Sequence, residues 1–65
     1  MKNTNGMRVL VLKEVPHSDL RAGQVYTLNR LGKDVGFHQG TGLWAVVKET
    51  VVRKMLNKYK QLEKV

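Results

Sequence analysis

Apolar positions change their spacing once along the chain, and the change separates a strand-forming part from a helix-forming part. Met7-Arg8-Val9-Leu10-Val11-Leu12 is an almost unbroken apolar, β-branched and leucine-rich run with polar flanks, which predicts a buried central strand within residues 7–15. Pro16-His17-Ser18-Asp19 ends it, because proline has no N–H to give a ladder and the residues after it favour turns. Gln24-Val25-Tyr26-Thr27-Leu28-Asn29-Arg30 then alternates with period two, setting Tyr26 and Leu28 on one face and Thr27 and Asn29 on the other, as a half-buried strand does. Gly32-Lys33-Asp34 reads as a turn and Val35-Gly36-Phe37-His38-Gln39 as a third strand. Gly40-Thr41-Gly42 connects it tightly to a fourth, Leu43-Trp44-Ala45-Val46-Val47.

From residue 50 the period becomes that of a helix. Val51, Val52, Met55, Leu56, Tyr59 and Leu62 fall within about 140° of arc at 100° per residue, predicting an amphipathic helix over residues 50–64. Thr50 is the expected N-cap, and Lys58, Lys60 and Lys64 suit the negative end of the helix dipole. Val52, Met55, Leu56 and Tyr59 are expected to pack on Val9, Val11 and Val46. The fold class is therefore α+β: an antiparallel meander of four strands, or a small partly open barrel, followed by a C-terminal amphipathic helix. Residues 1–6 are expected to be a flexible tail and residues 7–65 a single domain, with no internal repeat.

At 65 residues and without a cysteine, the chain has neither length nor cross-links to spare. A core of this size supplies roughly 3–5 kcal/mol of net stability, so nearly every large apolar side chain is needed in it. The missing cysteines favour a cytoplasmic setting, the apolar run Val9 to Leu12 is far too short for a bilayer span, and the start of the chain lacks the apolar block of a signal peptide. A soluble cytoplasmic protein with no membrane contact is the expectation.

Charge changes the picture more. Twelve Lys and Arg stand against five Asp and Glu, a formal net charge of +7. Lys48, Arg53, Lys54, Lys58, Lys60 and Lys64 face only Glu49 and Glu63 in the last eighteen residues. On the expected helix, Arg53, Asn57, Lys60 and Lys64 form a polar stripe with Lys54 beside it. Such an excess suits a polyanionic partner, whether nucleic acid, an acidic protein patch or an anionic membrane surface, while a solvated basic face that serves solubility alone is the plainer reading.

The segments Val9-Leu10, Leu20-Arg21-Ala22-Gly23-Gln24-Val25-Tyr26-Thr27-Leu28 and Gly42-Leu43-Trp44-Ala45-Val46 together resemble the small SH3-like barrels encoded by tailed bacteriophages, over about residues 7–50. Gly23, Gly32 and Gly36 resemble, more distantly, the KOW-type barrels of ribosomal and transcription proteins. Either resemblance implies a binding module and brings no catalytic residues.

No constellation in the sequence carries catalysis. His17-Ser18-Asp19 has the letters of a triad, but neighbours in one loop do not adopt nucleophile, base and orienter geometry, and a turn cap explains Ser18 or Asp19 better. His17 and His38 are too few ligands for a metal site, and the glycines at 36, 40 and 42 fit neither dinucleotide nor P-loop fingerprints. No enzyme activity, cofactor or metal is expected. The first functional reading is a non-enzymatic nucleic-acid-binding module, with Arg53, Lys54, Lys60 and Lys64 as main phosphate contacts and Arg21, Arg30 and Lys33 as a second cluster. The alternative is a phage-encoded effector that inhibits a host protein by docking on an acidic patch. Trp44 is either core or a surface platform beside Arg21, Lys33 or His38. An exposed Trp44 ringed by apolar residues favours the protein partner, and a continuous basic groove favours nucleic acid.

Overall fold

The computed structural model describes residues 5–65. Five strands and one helix follow in the order β1 (Arg8–Val11), β2 (Val25–Leu31), β3 (Asp34–Gln39), β4 (Gly42–Lys48), α1 (Glu49–Asn57) and β5 (Leu62–Lys64). The strands form one antiparallel open sheet in the order β4-β3-β2-β1-β5, giving a small α+β fold. Glycine chemistry sets both tight hairpins. Gly32 (φ 65°) and Gly40 (φ 61°) each take the first central position of a two-residue turn and the next residue has no positive φ, the type II′ arrangement whose twist suits paired strands.

Period-two alternation delivers one face of each strand to the core. Val9, Val11, Tyr26, Leu28, Val35 and Phe37 are buried there, joined by Leu20, Val52, Met55 and Leu62. Tyr26 and Phe37 meet edge to face with ring centroids 6.3 Å apart, an arrangement worth about 0.5–1.5 kcal/mol beyond area burial. The Tyr26 hydroxyl is satisfied by the Arg21 N–H at 3.1 Å. On the opposite face, Gly36 sits opposite Val46 and Asn29 and is itself buried. A Cβ there would stand 3.1–3.2 Å from Leu43 Cδ1, Leu31 Cδ1 and His38 Nε2, so the missing side chain lets these three close over the strand.

The long β1–β2 loop is ordered by its own bonds. The Ser18 hydroxyl donates to the Val15 carbonyl at 2.8 Å and accepts from the Leu20 N–H at 3.3 Å, while buried Leu20 plugs the loop into the core. Ser18 of the His17-Ser18-Asp19 run thus serves as a turn cap. At the other end of the described chain, the Gly6 N–H donates to the Leu28 carbonyl and Asn5 Oδ1 accepts from the Arg30 N–H, so these two residues of the expected tail extend the pairing with β2. Residues 1–4 of that tail lie outside the described residues.

The C-terminal segment departs from the sequence reading. In place of a helix over residues 50–64 closing a four-stranded sheet, α1 stops at Asn57 and the chain returns as a fifth strand, β5. The Lys58 and Tyr59 N–H groups both donate to the Lys54 carbonyl, and after Lys60 turns the chain at φ +54° the Gln61 N–H donates to the Met55 carbonyl, so the last carbonyls of the helix are satisfied by the chain that leaves it. The physical reason is the open edge of β1: Val9, Leu10 and Val11 gain Lys64, Glu63 and Leu62 as ladder partners. Thr50 is not the N-cap. Lys48 holds that position without a side-chain cap, and the first amide of the helix, Glu49 N–H, donates to the Lys33 carbonyl at 3.1 Å. Val52 and Met55 are buried by α1 as expected, whereas Leu56 is only half-buried, Tyr59 is 48% exposed beyond the helix, and Val46 is 51% exposed on the outer face of β4.

Candidate binding site

Trp44 owes its position to an extra residue in an edge strand. Along β3–β4, Phe37 faces Ala45 but the next residue, His38, faces Leu43, which leaves Trp44 as the unpaired residue of a β-bulge. The bulge turns the indole out of the outer-face row and lays it across the core: Trp44 meets Tyr26 edge to face at 6.5 Å. One side of the ring is thereby fixed by a buried neighbour. The residue as a whole keeps 39% exposure, so the Trp44 alternative resolves to a surface position anchored on the core.

Two cavities meet at this ring. The larger, about 420 Å³, is bounded by the loop residues Val15 to Asp19, by four consecutive residues of β4, Trp44 to Val47, and by Val51 and Met55 of α1. It is a mostly apolar groove with a size in the range of ligand sites, roughly 300–1,000 Å³. The smaller lies on the loop side of Trp44 and is lined by Glu14, Ser18, Asp19, Leu20 and Arg21. Of the neighbours expected for Trp44, Arg21 is present. Lys33 belongs to the opposite end of β4, and His38 lies with Leu31 and Leu43 over Gly36.

The expected basic stripe is divided among three elements. Arg53 and Lys54 are on α1, Lys60 is in the turn after it, and Lys64 is on β5. Arg53 is also engaged, its guanidinium 3.6 Å from Glu49 Oε1, while Arg30 stands 3.5 Å from Glu49 Oε2. Both arginines are about half exposed, so each pair contributes under about 1 kcal/mol. Glu49 nevertheless joins the first turn of α1 to the end of β2. Of the second expected cluster, Arg30 and Lys33 share a cavity with Lys48, Asp34 and Glu49, and Arg21 stands apart beside Trp44. Lys60 and Lys64 come together at a different cleft, between β5 and α1, with Glu63, Met7, Leu12 and Leu56. None of these cavities brings the seven cations together among the described residues.

The apolar groove was the part of the site that residue-by-residue reading missed. Its signal lay in the unabsorbed apolar residues Val15, Val46 and Val51, each assigned to a strand or helix interior. Among the described residues no three His, Cys, Asp or Glu side chains gather as a metal site, and no helix is long and apolar enough to cross a membrane. No protein-family model, curated protein or solved structure matches the chain.

Proposed function

We propose that this chain is a small, non-enzymatic binding module of SH3-like arrangement that docks a protein partner at the Trp44 groove and acts as an effector of that protein. The observation that carries the reading is the half-exposed indole, held on one side by Tyr26 and opening on the other onto Val15, Pro16, Val46 and Val51. Aromatic side chains seated rigidly in an apolar surround are the anchors around which interface energy concentrates. The net charge of +7 favours an acidic surface on the partner and speeds encounter with it. Fold likeness contributes only the expectation of a binding role; the site carries the argument.

Nucleic acid is the second reading, favoured by the same charge and by the pairing of Lys60 with Lys64 at one cleft. The single tryptophan gives a direct test of the first against the second. Protein captured from a host lysate after nuclease treatment by the unaltered chain, and lost with Trp44→Ala, supports the protein partner. Capture that disappears with nuclease, together with binding of labelled single strands at 50 mM salt that Trp44→Ala leaves intact, would transfer the assignment to nucleic acid.

A further inference from the structure

Four consecutive residues of β4 line the groove, so its wall is the backbone of an edge strand as well as side chains. The ladder defines which backbone groups face it. The two-residue turn at Gly32-Lys33 closes on the pair Leu31 and Asp34, and in such a hairpin the closing pair exchanges its hydrogen bonds. Asp34 therefore turns its N–H and C=O toward β2 and Val35 turns its own toward β4, where it pairs with Val47. By the same alternation Val46 directs both N–H and C=O away from β3, into the groove, and Lys48 directs its N–H the same way. No other backbone group of the described residues bonds to Val46. From these positions we infer that the groove accepts an extended acidic segment of a partner protein, which adds to the sheet as a sixth strand along β4. This inference rests on the protein-partner reading and specifies how the partner binds.

The chemistry of the segment follows from its two sides. Residues of an added strand point alternately to the two faces of the sheet. One set enters the apolar space between Trp44, Val47, Val51 and Met55, and so is apolar. The other set and the flanks meet cations: Lys48 ends β4, while Lys54 and Lys58 follow Val51 at i+3 and i+7 on the same side of α1, all three exposed. Asp19 is the one acid among the residues lining this groove. Charge also selects against a second copy of the chain, since two molecules each carrying +7 repel at the edge that pairing would join.

The test selects binders from a displayed library of random dodecapeptides against the full chain, then measures the synthetic peptides by the anisotropy of a fluorophore attached to each peptide. Expected are sequences with acids alternating with apolar residues, bound about tenfold more weakly when alternate amides are N-methylated in one register and less than about twofold more weakly in the other, because only one register's N–H groups face β4. Val46→Pro, which removes an outward N–H at an edge position, is expected to weaken the same peptides about tenfold more than Val46→Ala, which keeps the N–H and loses only side-chain contact, with circular dichroism checking that both remain folded. Peptides whose binding needs Trp44 but is indifferent to N-methylation in both registers overturn strand addition and leave the groove as a docking site. The absence of any binder weakened by Trp44→Ala overturns both. A concentration-dependent dimer in sedimentation without peptide, abolished by Val46→Pro, assigns the edge to a second copy and overturns the inference.

Discussion

Lys60 holds a backbone conformation that a residue with a Cβ adopts only under constraint. Its φ of +54° disfavours any side chain by roughly 1–2 kcal/mol, whereas glycine there adds about 0.5–1 kcal/mol of unfolded-state entropy to be lost on folding. The first effect is the larger, so Lys60→Gly is expected to stabilise the domain by about 0.5–1 kcal/mol and to raise its melting temperature by several degrees. Gly23 is the converse case. At φ +87° its vacant Cβ position has nothing within 4 Å, so Gly23→Ala meets no clash and its expected loss of about 1 kcal/mol or more is conformational. Thermal melts of the two variants, moving in opposite directions, check both statements, and a Lys60→Gly melt at or below that of the unaltered chain would contradict the strain argument. Residue identity alone signals the glycine and hides the lysine. A left-handed lysine at a helix stop leaves no compositional mark.

The same hidden turn explains what was legible at the level of elements. Strands β1 to β4 were readable because alternation and Gly-first turns act within a few residues, and their bounds follow that local chemistry. The segment after residue 50 carried one helical period from Val51 to Leu62, and nothing local distinguishes a helix that continues from one that stops. The decision is tertiary: β1 needs a partner on its free side, and Leu62 reaches the core from β5 with 2% exposure. Leu62→Ala is therefore expected to destabilise by about 2–5 kcal/mol, enough to unfold much of a domain this small. Leu56→Ala, at a half-buried site, is expected to be clearly milder. Truncation after Tyr59 sharpens the contrast, because removal of β5 uncovers the β1 edge and the Val9–Val11 face, whereas shortening a terminal helix would leave the sheet closed as before. Loss of dispersed amide resonances in the truncated chain is the expected outcome. A folded spectrum would mean that β5 is dispensable.

At the scale of the molecule, charge was legible as a total and illegible as a surface. The excess of cations pointed to a polyanion, but the folded chain distributes Arg21, Arg30, Lys33, Arg53, Lys54, Lys60 and Lys64 over the β1–β2 loop, β2, a turn, α1, a second turn and β5. Glu49 engages two of them. Trp44 was undecidable for a related reason, since the bulge that aims it exists only in the pairing of β3 with β4. The distribution sets a quantitative expectation for nucleic acid. If all seven cations neutralised phosphates together, log affinity for duplex DNA would fall against log salt with a slope of about 6, at 0.9 per contact. A stiff duplex touching one side of this domain meets the cations of one cavity and its rim, two or three at a time, for a slope of about 2 to 3. Anisotropy of a labelled 20-base-pair duplex between 50 and 200 mM salt measures it, and Trp44→Ala is expected to leave the value unchanged because the indole takes no part in neutralising phosphate. A slope near 6 would mean that the cations act as one continuous surface, and the protein-partner reading would then yield to nucleic acid.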